Sequence, residues 1–542
     1  MHFFISNNQF CKLKFGPNIN LKIPYLPKLQ ARFRFEQCLL TFEHSLHPQF
    51  FELTKSNFLY DAVVIGSGPN GLAAGIRLAQ FGLRVKIYEA HHQIGGGTRT
   101  DEHILPGYKH DICSAIHPVG VSSPFLKTLP LKEYGLEWIH PEICAAHPLD
   151  HQPPAILTRD QKKTAFYLKE DEEKYLSIVQ PIINNWEQLT GDFLGPLTVP
   201  SHPFKLAQFG VRALLPSSIF QRSFKSQQAK ALIAGMAAHS VLPLNSWTTT
   251  AIALVFFGAA HTNGWPIAKG GSHSITKAME SYLLALGGEI ETNHTIHDLN
   301  QLPSSKAVLF DTSPSQALDI AGDTFPATYQ KKLRSYRHAP GVFKVDYILS
   351  EPVPWKDEEC KKAGTVHVGG TFDEISESEK QMDQNKHSDK PFVLVAQQSL
   401  FDTTRTPDEK EVLWAYCHVP NGSNKDMTEE IENQIERFAP GFKDTILHKS
   451  VMNTKDFEQY NQNYIGGDIS GGRQDITQLF SRPVHVFDPY STPVSGIYFC
   501  SSSTPPGGGV HGMCGYHAAN SVLKNEFDIK APIAPANIKV DS

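Results

Sequence analysis

The chain has 542 residues and no CxxC pair; its eight cysteines, at 11, 38, 113, 144, 360, 417, 500 and 514, show no paired spacing. That argues against a zinc site or a disulfide framework and fits a reducing compartment, with buried or idle thiols. No charge dominates, with 50 Lys+Arg against 55 Asp+Glu, so nucleic acid is not expected as a partner. The longest apolar run, Ala251 to Ala260, is about half of the ~20 residues that cross a bilayer, so no transmembrane segment is expected. No repeat of fixed period is visible, which sets aside solenoids and propellers. Among 25 histidines there is no HExxH or other ligand spacing, and no metal is expected.

What is there is an ordinary globular composition, 40% hydrophobic and 19% charged, at a length that suits a multidomain α/β enzyme. Up to Phe35 the chain has six basic residues and no acidic one, a balance that suits a mitochondrial presequence. This stretch is also Phe-rich and holds Pro17, Pro24 and Pro27, so an ordered extension or a misassigned start stays open. Further along, Ser274 to Leu286 puts Ile275, Ala278, Met279, Tyr282, Leu283 and Leu286 on one helical face, stopped by Gly287-Gly288 ahead of a short strand. Asp426-Met-Thr-Glu429 has the pattern of a capping box. Glu377 to Lys390, rich in polar residues, reads as an exposed loop.

The first chemical motif is Asp61-Ala-Val-Val-Ile-Gly66-Ser67-Gly68-Pro69-Asn70-Gly71, a β-branched strand running into G-x-G-x-x-G and a helix pattern. Gly66 allows the tight turn, Gly68 lets a pyrophosphate approach the backbone, and Gly71 brings helix and strand together. A second alternating strand then delivers Glu89, 18 residues after Gly71, where a carboxylate reaches ribose hydroxyls. This fingerprint alone does not separate NAD from FAD. Gly95-Gly96-Gly97-Thr98-Arg99 follows, a glycine run ending in a cation, which suits a second backbone contact to an anionic cofactor.

Gly66 to Gly75, Glu89 and Gly95 to Arg99 resemble the FAD-binding start of the phytoene desaturase and amine oxidase group of flavoproteins. The resemblance implies FAD rather than NAD, with the second glycine run along the diphosphate. Lys269-Gly270-Gly271 and the helix after it resemble that group's middle FAD segment, in which Ile296 would sit beside the adenine. Asp311-Thr-Ser-Pro314 resembles the loop that closes the segment, although the hairpin usual between Ile296 and Val308 is missing. Phe343 to Tyr347, His367 to Gly370 and Pro506 to Gly515 are similar to one branch of the group, whose members carry a disulfide-oxidoreductase name and are mitochondrial in eukaryotes. Disulfide reduction would require a redox cysteine pair and a second nucleotide fold, whereas Cys113 stands alone and no second strand-glycine-helix unit follows.

Near the C-terminus Gly507-Gly-Gly509-Val510-His511-Gly512 also matches G-x-G-x-x-G, but two prolines separate it from the preceding strand and no acid-bearing strand follows. It reads instead as a backbone-lined loop, Gly509 to Met513, entering a helix at about 512 to 523. A helix start aimed at the flavin ring would stabilise negative charge on the reduced isoalloxazine. His511 is the one catalytic candidate, and no general base is assignable.

The expected fold is therefore α/β, a discontinuous Rossmann-like FAD-binding domain with an interleaved mixed α/β substrate domain. Residues 1–57 form an extension, 58–140, 260–315 and 480–527 the FAD domain, 141–259 and 316–479 the substrate domain, and 528–542 a tail. The expected activity is hydride transfer from an organic, hydrophobic substrate to flavin N5, with oxygen or a quinone as external acceptor. The alternatives are a redox-silent FAD isomerase or interaction flavoprotein, and an NAD-only dehydrogenase. The resemblance places a eukaryotic protein in the mitochondrial matrix; a bacterial one would be cytoplasmic.

Overall fold

The computed structural model describes residues 3–5, 10–15, 19–24, 58–196, 199–479 and 481–531. Two units are distinguished, Met1–Asn57 and Phe58–Ser542. In the first, Phe3–Ile5, Phe10–Phe15 and Ile19–Pro24 form an antiparallel sheet, with Phe3 opposite Leu13 and Leu13 opposite Leu21. The rest of the 1–57 extension, on which the presequence reading bears, lies outside the described residues, as does the tail beyond residue 531.

The second unit contains two main sheets. One has five parallel strands in the order Glu289–Glu291, Val85–Tyr88, Tyr60–Ile65, Ser305–Phe310, Ile497–Phe499. In order of sequence this is 3-2-1-4-5, a Rossmann-like arrangement in which the winding reverses between Tyr60–Ile65 and Ser305–Phe310. Apart from the edge strand Glu289–Glu291, the strands are largely buried and rich in β-branched and aromatic residues. Ala62, Val64, Val85, Ile87, Ala307 and Leu309 pack under the helices Pro69–Ala79, His273–Ala285 and Met513–Phe527. Val63, Ile65, Phe310, Ile497 and Phe499 face the helices Pro314–Ala321 and Ala327–Arg334. Two of the helices cross almost in contact, since a Cβ on Gly515 would stand 1.8 Å from the Asn70 carbonyl oxygen.

The other sheet is mixed and seven-stranded, in the order Gln152–Thr158, Ile143–Leu149, Ala363–Val368, Val393–Ala396, Glu411–Val419, Gly341–Leu349, Ile446–Met452. Only the pairing of Ile143–Leu149 with Ala363–Val368 is parallel. The period-2 rule divides its side chains. Val366, Val368, Val393, Val395, Leu413, Ala415 and Cys417 pack with the helix Thr428–Phe438. Leu394, Ala396, Trp414 and Tyr416 face the helices Gln227–Ala238 and Thr249–Thr262.

Three local expectations need correction. Glu377 to Lys390 is helical as far as Asp383, because the Thr371–Glu374 capping box starts a helix at Phe372 that buries Ile375, Glu379 and Met382. Glu379 can be buried because its carboxylate meets His418 Nδ1 at 2.8 Å. Asp426 accepts the Thr428 N–H at 2.8 Å with no reciprocal bond from Glu429, so a single contact stands in place of the box. The last helix runs to Phe527 rather than about 523, carried by the buried Val522 and Leu523 and by Phe527 packed against the same core.

Burial holds an unusual number of imidazoles neutral. His110, His117, His147, His261, His511 and His517 are pushed down to about 4, His239 to about 3, and His367 well below the ordinary value. A histidine whose folded pKa is depressed contributes stability that is lost as pH falls below its unfolded value, at about 1.4 kcal/mol per pH unit for each. Several such losses act in the same direction, so acid destabilises the fold. The melting temperature should therefore fall steeply from about pH 6.5 downward, with uptake of several protons on unfolding, as a pH series of thermal melts will show. A melting temperature that stays level down to about pH 5 would contradict this linkage.

Candidate cofactor and substrate cavity

The strand Tyr60–Ile65 ends in Gly66, whose φ of +104° turns the chain into the helix Pro69–Ala79. Three glycines are required by space, and Gly66 by conformation as well. A Cβ would come 2.8 Å from the Asp311 carbonyl oxygen at Gly66, 2.7 Å from Asp311 Oδ2 at Gly68 and 2.2 Å from the Gly66 carbonyl oxygen at Gly71. Pro69 opens the helix with its fixed φ, and no acidic residue lies in the first turn. The positive end of the helix dipole is thus available to an anion.

One carboxyl does reach this helix start from elsewhere in the chain. Asp311 follows the strand Ser305–Phe310, is buried, and accepts the Gly71 N–H at 2.9 Å through Oδ2. Burial pushes its pKa well above the carboxylate range, and the nearby Glu89 adds to the shift. Burial thus disfavours the charged form of Asp311 at the helix start. Sequence reasoning placed this residue in a loop and missed its role; the signal for it is its position just after the fourth strand of the sheet.

Glu89 is held from three sides. Its Oε2 accepts the Ser67 N–H at 2.9 Å and the Ser67 hydroxyl at 2.6 Å, while Oε1 accepts from the His91 N–H at 2.9 Å and from Arg99 at 3.0 Å. Arg99 also donates to the Gln93 carbonyl at 2.8 Å and lies over the Tyr460 ring. The two glycine runs meet here, since a Cβ on Gly96 would be 3.3 Å from Gly68 Cα. Gly97 faces the Tyr464 hydroxyl, which a Cβ would approach to 2.3 Å.

These segments border one cavity of about 790 Å³, within the range of small-molecule and cofactor sites. Of the residues expected at the cofactor, Gly66, Ser67, Gly68, Pro69, Asn70, Glu89, Gly96, Gly97, Arg99, Ile296, Gly509 and Val510 line it. Ile296 does so beside Tyr88 and His294. Asn70 Oδ1 is buried there without a partner. Gly71, Thr98, His511, Gly512 and Met513 do not line it. Thr98 is turned inward, donating to the Gly95 carbonyl and lying beside Thr276.

His511, the catalytic candidate, is likewise displaced from the cavity. Its Nδ1 accepts the Met513 N–H at 3.0 Å, its carbonyl accepts from Ser123 at 2.6 Å, and burial lowers its pKa to about 4. The imidazole thus satisfies a donor in the first turn of the last helix, and the preceding Gly508-Gly509-Val510 segment reaches the cavity instead. This reassigns His511 from chemistry to structure. Its place inside a glycine loop could not show which way the ring turns.

The opposite end of the cavity is apolar and aromatic. The seven-stranded sheet supplies Thr365, Leu394, Trp414 and Tyr416, and Ile116, Val241 and Trp265 close over them. Trp265 is anchored by its Nε1–H, which donates to Thr365 at 3.0 Å. Cys113 also borders the cavity, but burial pushes its thiol up to about 11, and Cys113, Cys144, Cys360, Cys417, Cys500 and Cys514 are all free and buried. No cluster fit to hold a metal occurs among the described residues.

Cradle and fold together define an α/β dinucleotide-binding architecture of the Rossmann type. Residues 64–129 match the family described as an NAD(P)-binding Rossmann-like domain. The chain is 24% identical to the rat pyridine nucleotide-disulfide oxidoreductase domain-containing protein 2, over 86% of this chain and 94% of the relative. It is 22% identical, with the same coverage, to a limonene dehydrogenase subunit of Castellaniella defragrans. Among solved structures, an oxidoreductase from Methanosarcina mazei superimposes with a TM-score of 0.57 at 15% identity, covering 86% of this chain and all of that one. Putrescine oxidase bound to putrescine superimposes at 0.55 and 16% identity, covering 86% and 99%. The chain thus shares the fold of these proteins, and its relatives are oxidoreductases.

The raised pKa of Asp311 has a measurable consequence. A carboxyl whose folded pKa is raised favours folding most at low pH and loses that advantage as pH rises toward the folded value. In the apoprotein, Asp311→Asn should gain stability over the parent as pH is raised from about 4, the ordinary value of an unfolded Asp. A gap between the two melting temperatures that stays constant or shrinks would contradict the raised pKa.

Proposed function

We propose that the protein is an FAD-dependent oxidoreductase acting on an organic, hydrophobic substrate. The observation that supports this most is that one cavity joins a glycine-lined, anion-compatible cradle to an apolar, aromatic pocket. The residues fit the cofactor: glycine at 66, 68, 96 and 97 leaves room against the backbone, Arg99 lies at the cavity paired with Glu89, and burial disfavours a charge on Asp311. FAD, when bound, would accept a hydride from a substrate C–H and pass electrons to an external acceptor such as oxygen or a quinone.

The chain's own part is binding, orientation and exclusion of water. Ser67 and Arg99 hold the Glu89 carboxylate where adenosine ribose hydroxyls would meet it, and Ile296 lies at the same cavity for the adenine. The Gly508–Val510 backbone borders the cavity as the wall for the ring system. Trp265, Leu394, Trp414 and Tyr416 form a dry surface that would orient a hydrophobic substrate. On this reading 58–140, 260–315 and 480–527 serve the cofactor, while 141–259 and 316–479 serve the substrate. For a eukaryotic source the proposed compartment is the mitochondrial matrix.

The test starts from colour and cofactor content. The purified protein should be yellow and release FAD on denaturation, and anaerobic mixing with candidate substrates should bleach it. Glu89→Gln should weaken FAD binding by about tenfold or more, roughly 1.4 kcal/mol, while far-UV dichroism shows the fold retained. A colourless protein that takes up no FAD would defeat the proposal. Stable FAD without bleaching by any donor would move the function to a redox-silent flavoprotein.

A further inference from the structure

Three histidines stand in line behind the apolar end of the cavity. His239, just after the helix Gln227–Ala238, lines the cavity, and its Nε2 lies 3.1 Å from His367 Nε2. His367, on the strand Ala363–Val368, is fully buried. His147, on the strand Ile143–Leu149, is fully buried too and has its Nε2 2.7 Å from the Gly370 carbonyl oxygen. The remaining nitrogens of the two inner rings, His367 Nδ1 and His147 Nδ1, are buried without a partner. Both border the same gap, because a Cβ on Gly235 would be 2.7 Å from the first and 2.9 Å from the second.

Burial keeps all three rings neutral, pushing His147 down to about 4, His239 to about 3 and His367 well below the ordinary value. Each ring therefore carries one N–H and one lone pair, and the hydrogen-bond partner decides which nitrogen has which. A carbonyl only accepts, so His147 Nε2 bears the hydrogen and His147 Nδ1 the lone pair. Across the Gly235 gap this lone pair favours an N–H on His367 Nδ1, since two lone pairs facing one buried gap repel. His367 Nε2 is then an acceptor, filled by the His239 Nε2–H. The last lone pair falls on His239 Nδ1, which has no protein partner and, unlike the inner Nδ1 atoms, is not buried.

We propose that His239 Nδ1 is a fixed hydrogen-bond acceptor at the substrate end of the cavity, and that the ligand recognised there is a hydrophobic molecule bearing a hydroxyl. His367 and His147 act as positioning residues that set the tautomer. A charged ammonium is a poorer match, because Ile116, Val241, Trp265, Leu394 and Trp414 offer it no carboxylate at this end. A pure hydrocarbon would displace water from the His239 acceptor and leave it without a donor. The inference rests on the reading of the cavity as the substrate site.

The test compares two isomeric probes, octanol and methyl heptyl ether, by calorimetric titration into the flavin-loaded protein. Only the alcohol donates a hydrogen bond, so it should bind about tenfold tighter than the ether, a factor expected for one buried bond to an otherwise unpaired acceptor. His239→Phe should bind both probes equally, and His239→Asn, which keeps an acceptor near the Nδ1 position, should restore part of the preference. His147→Phe should reduce the preference with His239 still in place. Ring-nitrogen NMR of isotope-labelled histidine should show His239 as the Nε2–H tautomer in the parent and a mixture in His147→Phe. Equal affinity for the two probes in the parent, or a preference that survives in His239→Phe, would overturn the inference. Such a result in a protein that carries FAD leaves the oxidoreductase reading standing, whereas loss of FAD binding is a separate failure.

Discussion

The cavity depends on how closely two adjacent parallel strands deliver their carboxyl ends. Tyr60–Ile65 and Ser305–Phe310 pair in register, the Asp311 N–H donates to the Ile65 carbonyl at 2.8 Å, and the loops that leave the two strands touch at once. The contact is tight enough that a Cβ on Gly66 would meet the Asp311 backbone and one on Gly68 its side chain. Since the winding reverses between these strands, the loops diverge and open a crevice above the sheet. Every cofactor-end residue is placed with respect to that junction. Glu89 reaches it from the second strand, Gly96 packs on it from the second glycine run, and Met513–Phe527 closes behind it where Gly515 admits the Asn70 carbonyl.

So tight a junction has an electrostatic cost, which Asp311 shows. A carboxyl that accepts from the Gly71 N–H occupies the place where a helix start would draw an anion, and as a carboxylate it would repel one. Burial and the neighbouring Glu89 remove the difficulty by favouring the protonated form. Glu89 itself accepts from Arg99 and from two Ser67 donors, so the two acids are held by different partners.

The sequence reveals the cofactor end far better than the substrate end, for a physical reason. Pyrophosphate recognition uses backbone geometry within short contiguous segments, so Gly66 to Gly71, Glu89 and Gly96-Gly97 leave a readable spacing. The five-stranded sheet follows from the same strands. The substrate end is built from single residues at alternate positions of strands far apart in sequence, Thr365, Leu394, Trp414 and Tyr416, joined by Trp265 from a loop. Nothing local marks them as one surface. Asp311 and the Glu379–His418 pair escaped for the same reason, because a buried carboxyl is explained only by a partner distant in the chain. His511 failed in the opposite direction: its neighbours in sequence were informative, but the orientation of its ring was not.

This asymmetry bears on how much the shared fold can say about chemistry. A limonene dehydrogenase subunit and a structure of putrescine oxidase, whose named compounds have little in common, both resemble this chain over 86% of its length. The strand order and the glycine cradle are compatible with such different compounds, because a fold does not by itself set the substrate. What differs must lie on the face of the seven-stranded sheet and on the helices over it. There the present chain places aromatic side chains, the Thr365 hydroxyl engaged by Trp265, and the His239 edge of a buried histidine row. On the proposed reading, specificity is a property of that face, where one tautomer or one side chain would change the ligand accepted while the cradle stays as it is.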